Sequence, residues 1–256
     1  MKKQADGDMS TGKTRLDDAE RHEYVYINNG KEYLVPYRLF IPGGEKKKRP
    51  LVLYMHGFGE CGSENEKQLR ILGGRNLLLE RIAESGECII LAPQCRGVPP
   101  ENAWVDIGNV WNTGSRSELG EPTAPMAAVC SLIKEFAMSD DVDKDRIYLV
   151  GLSMGGYAAW ELMARLPGLF AAAVPLCGAG FPELADRIKH IPVWAFHGAE
   201  DTTVPPVGTH DMEKALKAAG GNVKATYLEG YGHNIWDPSF GTPGLFEWLL
   251  SQKKGK

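Results

Sequence analysis

Long apolar runs are missing from this chain, and their absence excludes one class of protein at the outset. No stretch is long and apolar enough to cross a bilayer as a helix. Residues 1–20 are polar throughout and lack the apolar core of a secretory signal. We expect a soluble chain with a polar N-terminal arm over residues 1–20. Two locations stay open: the cytoplasm, or a secreted or periplasmic site reached with a signal peptide that is absent from this chain.

A surplus of positive charge is missing as well. Lysine and arginine number 29 against 33 aspartates and glutamates, which gives a formal net charge of -4. Such a chain has no overall attraction for nucleic acid or for an anionic membrane. The single basic run, residues 46–49 (KKKR), lies between glycines and a proline and is typical of a solvated loop. We therefore expect neither nucleic acid nor a membrane among the partners.

Cysteine is scarce and shows no metal-binding pattern. The five cysteines include no CxxC pair, and no histidine cluster has metal spacing, so we predict no zinc site. Internal repeats are absent, which argues against a repeat architecture. With 256 residues, 43% of them hydrophobic, the chain is long enough to bury one large core. We predict a single folded domain over residues 21–256.

Apolar runs of strand length alternate with longer segments of helical composition. This alternation predicts an α/β fold with a mostly parallel central sheet of about eight strands flanked by helices. An Asn-Gly dipeptide between the first two runs favours a type I′ hairpin, so that pair should be antiparallel. The strands are predicted at 23–28, 33–41, 51–55, 88–92, 146–150, 171–176, 192–196 and 223–228, and the helices at 66–84, 125–138, 154–166, 207–219 and 243–252.

The pentapeptide 151–155 (GLSMG) joins a predicted strand to a predicted helix. In a turn this tight, side chains next to the serine would collide with the strand and the helix, whereas glycine is tolerated. The pattern is typical of a nucleophile elbow, which holds a serine hydroxyl clear of the sheet. Ser153 is therefore the candidate nucleophile, although a glycine-rich turn can also serve only as a connection.

A serine hydroxyl is a weak nucleophile, so it needs a histidine base and a carboxylate that orients the histidine. Asp201 follows the predicted strand 192–196, and His233 follows the strand 223–228. The chain order Ser, Asp, His, each just past a strand end, is the order of the α/β-hydrolase triad. Glu200 is the neighbouring competitor, but we favour Asp201 as the acid because it occupies the position of that carboxylate, ahead of Val-Pro.

An oxyanion hole should come from an early loop between a strand and a helix. Residues 56–60 (HGFGE) follow the predicted strand 51–55, and their glycines let the backbone approach a developing negative charge. The expected donors are the N–H groups of Phe58 and Met154. We interpret His56 as a structural residue that holds this loop by hydrogen bonds rather than as a base.

These motifs together resemble the α/β-hydrolase superfamily over most of the chain: HGFG at 56–59, GLSMGG at 151–156, HGAEDTTVP at 197–205 and GH at 232–233. Within the superfamily, the chain is similar to an esterase branch that includes dienelactone hydrolase-like, polyhydroxybutyrate depolymerase-like and feruloyl or acetylxylan esterases, some of them labelled predicted peptidases. The resemblance implies a carboxylic ester hydrolase without a cofactor, with Ser153, Asp201 and His233 as its triad. Substrate identity does not transfer with the fold.

The resemblance also bears on two cysteines. Cys61 and Cys95 each follow a predicted strand, and those two strands are neighbours in the strand order of the superfamily. A disulfide between them is therefore one of the alternatives, and it would indicate an extracytoplasmic location. The other alternative is that both cysteines are free thiols that serve as small residues of the core.

Two spacings concern the substrate. Only about fifteen residues separate the strands 171–176 and 192–196, too few for a helical cap, so we expect an open site without a large cap domain. The irregular segment 94–123 carries Trp104 and Trp111, and Trp236 follows His233 by three residues. These tryptophans are expected either to form an aromatic wall for a sugar ring or phenolic acyl group, with Trp104 and Trp236 the better candidates, or to anchor the core and loops.

The sequence thus predicts a serine carboxylesterase that acts through an acyl-enzyme. Its expected substrates are short-chain or aromatic esters of acetyl or feruloyl type. The alcohol part of the ester is expected to be a small molecule or a polysaccharide. Two alternatives use the same fold. A serine peptidase related to prolyl oligopeptidase would share the triad, but this chain lacks the additional domain that selects substrates by size. A non-enzymatic binding protein is the other alternative, and it would not need a complete triad.

Overall fold

Eight strands form one sheet at the centre of the computed structural model, which describes residues 15–44, 47–97, 102–106 and 116–255. The strands are β1 (Glu20–Asn28), β2 (Lys31–Phe40), β3 (Arg49–Met55), β4 (Ile89–Pro93), β5 (Val142–Leu152), β6 (Ala172–Leu176), β7 (Val193–Gly198) and β8 (Val223–Leu228). All eight predicted strands are present, and their ends differ from the prediction by a few residues at most.

The strand order across the sheet is β1-β2-β4-β3-β5-β6-β7-β8. β1 pairs antiparallel with β2, and β2 pairs antiparallel with β4. Every other neighbouring pair is parallel. The predicted mostly parallel sheet is therefore confirmed. Since parallel strands end at the same edge, the loops after β3, β5, β7 and β8 meet on one side of the sheet.

The opening hairpin forms as its sequence predicts. Asn28 pairs with Lys31, which leaves Asn29 and Gly30 as a two-residue turn. Both turn residues have positive φ, 49° for Asn29 and 75° for Gly30, as a type I′ turn requires.

Seven α-helices cover the sheet in the described part of the chain. They are α1 (Leu77–Ser85), α2 (Ala124–Met138), α3 (Met154–Arg165), α4 (Ala185–Ile188), α5 (Val207–Ala218), α6 (Trp236–Phe240) and α7 (Leu245–Ser251). Side chains of α2, α3, α4 and α5 share one buried cluster, and those of α1, α6 and α7 share another. Along β3, Leu51 and Leu53 enter the first cluster, and Val52 and Tyr54 enter the second. The sheet thus buries both faces, as parallel sheets do.

The predicted helix 66–84 is wrong in its first half. A short 3-10 helix occupies Lys67–Leu69, and α1 begins only at Leu77. Between them Ile71 and Gly74 pair across a tight turn, with Leu72 and Gly73 both at positive φ. This turn contributes Ile71 and Leu72 to the wall of the candidate site.

The N-terminal arm predicted for residues 1–20 lies mostly outside the described residues. Its described end includes a 3-10 helix, Arg15–Asp18, whose Leu16 is buried, and β1 already begins at Glu20. The division of the chain at residue 20 stays a prediction.

Candidate active site

Ser153 lies at the junction of β5 and α3. Its backbone has φ 53° and ψ -119°, a strained combination for a residue with a Cβ. The glycines on either side permit close contacts, because a Cβ on Gly151 would come within 2.1 Å of the Gly155 carbonyl oxygen, and one on Gly155 within 2.0 Å of the Met55 carbonyl oxygen. The turn therefore has the geometry of a nucleophile elbow, with the serine held between strand and helix.

Asp201 lies in the loop after β7, residues 199–206, here named the acid loop, and His233 lies in the loop after the neighbouring strand β8, residues 229–235, named the base loop. Backbone hydrogen bonds tie these loops together, from Ala199 N–H to the Leu228 carbonyl at 3.0 Å and from Glu200 N–H to the Tyr231 carbonyl at 2.9 Å. The parallel pairing of β7 with β8 continues into this contact. The two predicted residues therefore reach the same place although 32 positions separate them in sequence.

The three predicted triad residues form a continuous chain of hydrogen bonds. Ser153 Oγ is 2.9 Å from His233 Nε2, and His233 Nδ1 is 2.7 Å from Asp201 Oδ2. Ser153 and Asp201 are buried, whereas His233 is half-buried. This geometry allows the imidazole to accept the serine proton while the carboxylate holds the opposite ring nitrogen.

Asp201 is held in its ionised form by several donors. Its Oδ1 accepts hydrogen bonds from the N–H groups of Thr203 and Val204, both at 2.9 Å. Burial raises the pKa of this carboxyl, but hydrogen bonds from His197, His233 and Val204 outweigh burial and hold the pKa well below its usual range. Glu200, the competing acid, is exposed. Asp201 is therefore the carboxylate that contacts His233.

His197 packs behind Asp201. Its ring is fully buried, and Nε2 lies 2.8 Å from the Val204 carbonyl oxygen, 3.5 Å from Asp201 Oδ2. The other ring nitrogen, Nδ1, is 2.7 Å from Thr209 Oγ1. These contacts fix the start of the acid loop against α5.

The loop after β3 contains Phe58, one of the two residues whose N–H groups are predicted to form an oxyanion hole. Phe58 opens a short 3-10 helix, Phe58–Glu60, and Met154 opens α3. N–H groups at the start of a helix have no partner within the helix. His56 donates through Nδ1 to the Gly57 carbonyl at 2.6 Å, and its Nε2 accepts from Cys95 N–H at 3.1 Å. Burial lowers the pKa of His56 to about 4, which favours a neutral, structural imidazole, in line with its interpretation from sequence.

A cavity of about 400 Å³ opens beside Ser153 and His233. Its size is within the range of pockets that hold small ligands. Most of its wall is apolar. The wall includes Phe58, Ile71, Leu72, Leu152 and Trp236.

The tryptophans divide between the wall and the core. Trp236 lines the cavity and meets the His233 ring edge to face, with 5.3 Å between centroids. Trp104 is fully buried, and its Nε1–H donates to the His56 carbonyl at 3.2 Å. An aromatic wall around this cavity therefore does not include Trp104, which anchors the loop of His56 instead. Trp111 lies outside the described residues.

Cys177, Asp201 and His233 form a cluster in which ligand atoms lie within 4.8 Å of one another. Two of these side chains are already joined by a hydrogen bond. Burial raises the pKa of the Cys177 thiol well above its usual value, which disfavours the thiolate that a metal would bind. Asp201 and His233 thus already use these atoms in the chain of hydrogen bonds to Ser153.

Sequence comparison places this site in a known family. The sequence model of the phospholipase/carboxylesterase family matches residues 38–242, which is most of the chain. The chain belongs to this family.

Three known proteins are similar to this member of the phospholipase/carboxylesterase family. The solved structure of a thermostable esterase matches with a TM-score of 0.78 and 33% identity, covering 94% of this chain and 64% of that one. The bifunctional acetylxylan esterase/xylanase XynS20E of Neocallimastix patriciarum is 24% identical over 163 residues, 64% of this chain and 21% of that protein. Esterase YpfH of Escherichia coli is 22% identical over 193 residues, 75% and 78% of the two chains.

Two consequences follow for this family member. Its sheet and helices have the α/β-hydrolase fold that the sequence motifs predict. In addition, the chain spans about a fifth of the length of XynS20E and 64% of the thermostable esterase, so both relatives contain sequence without a counterpart here.

No large cap stands between β6 and β7 of this family member. The connection contains only a 3-10 helix at Pro182–Leu184 and the single turn of α4. The expected absence of a helical cap at this point is therefore confirmed. Among the described residues, moreover, no helix has the length and apolar character needed to cross a membrane.

Sequence reasoning missed cavity residues both outside the quoted motifs and inside the motif that carries Asp201. Ile71 and Leu72 belong to the turn that replaces the first half of the predicted helix 66–84, and Thr203 belongs to the acid loop. Gly73 and Gly74, directly after Leu72, are the signal that could have indicated a turn there.

Cys61 and Cys95 are in contact as free thiols. Their sulfur atoms are 3.8 Å apart, with Cys95 buried and Cys61 partly buried. The closeness of the two strand ends that the resemblance implies is therefore present, without a covalent bond between the thiols.

Proposed function

We propose that this protein is a serine carboxylic ester hydrolase that works through an acyl-enzyme. The observation that carries the proposal is the continuous chain of hydrogen bonds from Asp201 through His233 to Ser153, opening into an apolar cavity. Membership of the phospholipase/carboxylesterase family supports the same reaction class.

In the proposed mechanism, Ser153 Oγ attacks the ester carbonyl while His233 Nε2 takes its proton. Asp201 keeps the imidazole oriented and stabilises the cation that forms. The N–H groups of Phe58 and Met154 donate to the developing oxyanion. His233 then protonates the leaving alcohol, and a water activated by the same histidine hydrolyses the acyl-enzyme.

The proposed substrates carry short-chain or aromatic acyl groups, of acetyl or feruloyl type. The cavity supports this range because it is small and mainly apolar, with the Trp236 and Phe58 rings in its wall. The similarity to an acetylxylan esterase favours an ester linked to a polysaccharide as one natural substrate. The absence of a cap between β6 and β7 suits a bulky alcohol partner.

The test compares initial rates of the wild type and Ser153→Ala on one panel of substrates. The panel holds p-nitrophenyl esters of increasing chain length, methyl ferulate, acetylated xylan and a peptide p-nitroanilide. We expect ester turnover in the wild type and a loss of several orders of magnitude in the variant. Ser251→Ala, which alters an exposed serine at the end of α7, is the matched control.

The panel also separates the alternatives. Preferred cleavage of the anilide would favour a peptidase, and no turnover of any substrate by the wild type would favour a binding protein. Turnover that survives in Ser153→Ala would overturn the mechanism itself.

A further inference from the structure

Glu60 is a buried carboxyl group that the proposed mechanism does not use. It ends the 3-10 helix of the oxyanion loop and is only 2% exposed, yet it lines the cavity beside Ser153. A buried carboxyl is costly unless it is hydrogen-bonded, so its partners indicate what it stabilises.

The partners of Glu60 are backbone N–H groups from two separate segments. Its Oε1 accepts a hydrogen bond from Leu72 N–H at 2.8 Å. Burial raises the pKa of Glu60, while hydrogen bonds from the N–H groups of Leu72, Gly57 and Glu60 itself oppose that effect. One carboxyl therefore ties the oxyanion loop to the turn that contains Leu72.

Leu72 has an unusual backbone and an unusual exposure. Its φ is 49°, in the left-handed region that a leucine rarely adopts, and its N–H points to Glu60 rather than into a helix. The flanking residues Ile71 and Gly74 close the turn by two backbone hydrogen bonds, at 2.8 and 3.3 Å. The turn thus presents the leucine side chain outward, where 68% of the residue is exposed.

The side chain of Leu72 covers the oxyanion loop at the edge of the cavity. A Cβ added to Gly59 would come within 2.7 Å of Leu72 Cδ2, so the leucine lies directly against that glycine. Leu72 also lines a second, charged cleft, which contains Arg38 and Arg70. Its side chain therefore stands between an apolar cavity and a polar one.

We propose that Leu72 determines the acyl-chain specificity of this site and that Glu60 is the positioning residue that holds Leu72 in place. This inference rests on the proposed ester hydrolysis. The leaving alcohol must face His233, which protonates it, so the wall attached to the oxyanion loop is left for the acyl chain. A longer acyl group covers the exposed leucine, whereas an acetyl group is too short to reach it.

The experiment measures kcat/KM for p-nitrophenyl acetate, butyrate and octanoate, which share one leaving group. The variants are Leu72→Ala, Glu60→Ala, Glu60→Gln and the double variant Glu60→Ala/Leu72→Ala. Met138→Ala is the matched control, because Met138 is 76% exposed at the end of α2. Thermal unfolding of every variant checks that it folds.

We expect Leu72→Ala to lower the octanoate to acetate ratio of kcat/KM by about tenfold, since three carbons of the wall are removed. Glu60→Ala should lower the same ratio, and Glu60→Gln should lower it less because its amide oxygen still accepts from Leu72 N–H. In the double variant, loss of Glu60 should add nothing to the ratio, because Glu60 acts through Leu72.

A uniform change of kcat/KM across the three esters would overturn the assignment of Leu72. Additive effects of the two substitutions on the octanoate to acetate ratio in the double variant would overturn the role of Glu60. If Glu60→Ala does not fold, the ratio measured for Glu60→Gln tests that role instead. A wild type that hydrolyses none of the esters would instead contradict the proposed function, so the two failures are distinguishable.

Discussion

Gly198 lies directly against Gly232, so that a Cβ added to Gly198 would come within 2.0 Å of the Gly232 carbonyl oxygen. Gly198 ends β7 three residues before Asp201, and Gly232 immediately precedes His233. The contact between these glycines therefore sets the separation of the acid loop and the base loop without involving either functional side chain.

Replacement of Gly198 by alanine should push the two loops apart. We expect kcat on the best ester to fall about 100-fold, because a displacement of about 1 Å is enough to misalign such a site. The free energy of unfolding should fall by about 1–3 kcal/mol from overpacking. Ester kinetics and urea unfolding measure the two effects. Gly168→Ala, where an added Cβ meets nothing within 4 Å, is the control, and equal behaviour of both variants would contradict the prediction.

The adjacent acids Asp201 and Glu200 should differ sharply in their contribution to turnover. Asp201→Asn removes the carboxylate that holds His233 Nδ1, and we expect kcat to fall by several orders of magnitude. Glu200→Gln alters an exposed side chain and should leave kcat within about twofold of the wild type. Steady-state kinetics of both variants on one ester make the comparison. A larger loss in Glu200→Gln would reassign the orienting acid.

Glycine at position 153 should leave the protein more stable than alanine does, while both substitutions abolish turnover. The φ of 53° and ψ of -119° are strained for serine but accessible to glycine. We expect Ser153→Gly to raise the free energy of unfolding by about 1 kcal/mol relative to Ser153→Ala, which lacks the hydroxyl but keeps the Cβ. Urea unfolding of the two variants tests this. If Ser153→Gly is the less stable of the two, the elbow is not strained.

The contact between the three candidate triad residues is predictable from sequence because each of them has a local signal. Ser153 has glycines on both sides, and Asp201 and His233 each follow a recognisable strand. Parallel strands then bring these ends together whatever the loops between them do. The candidate triad depends on strand order, which the resemblance to the α/β-hydrolase superfamily implies.

The cavity wall is much less predictable from sequence. Leu69, Ile71 and the apolar start of α1 suggest one long helix, but Gly73 and Gly74 allow a turn that the carboxyl of Glu60 completes from a distant segment. Trp104 lies in an irregular segment that gives no periodicity to follow, and its indole reaches inward to the His56 carbonyl. Both cases depend on long-range hydrogen bonds to buried groups, and local patterns do not contain that information.

His56 should make stability depend on pH below neutrality. Its pKa is about 4 in the folded protein because burial disfavours the cation, against about 6.5 in an unfolded chain. The unfolded state therefore takes up a proton first as the pH falls. This contribution to stability is fully present above about pH 6.5 and is lost progressively toward pH 4, on the order of 3 kcal/mol in all.

The measurement is urea unfolding at pH 7 and pH 4.5 for the wild type and His56→Gln. The variant should be less stable at pH 7 but should lose less stability on acidification. His190→Gln, at an exposed histidine, is the control and should follow the wild type. Parallel pH dependence in the wild type and His56→Gln would show that His56 is not the group responsible.

Within the described part of the chain, β8 forms an edge of the sheet and pairs only with β7. Most of its residues are half-buried, whereas every residue of β3 and β6 is buried. Edge elements with few buried contacts exchange their amide hydrogens through local opening well below the free energy of global unfolding. Because His233 follows this strand, such opening would separate it from Ser153 while the rest of the sheet stays folded. The upper temperature limit for turnover would then be set by the local stability of one peripheral strand and not by the melting temperature of the molecule.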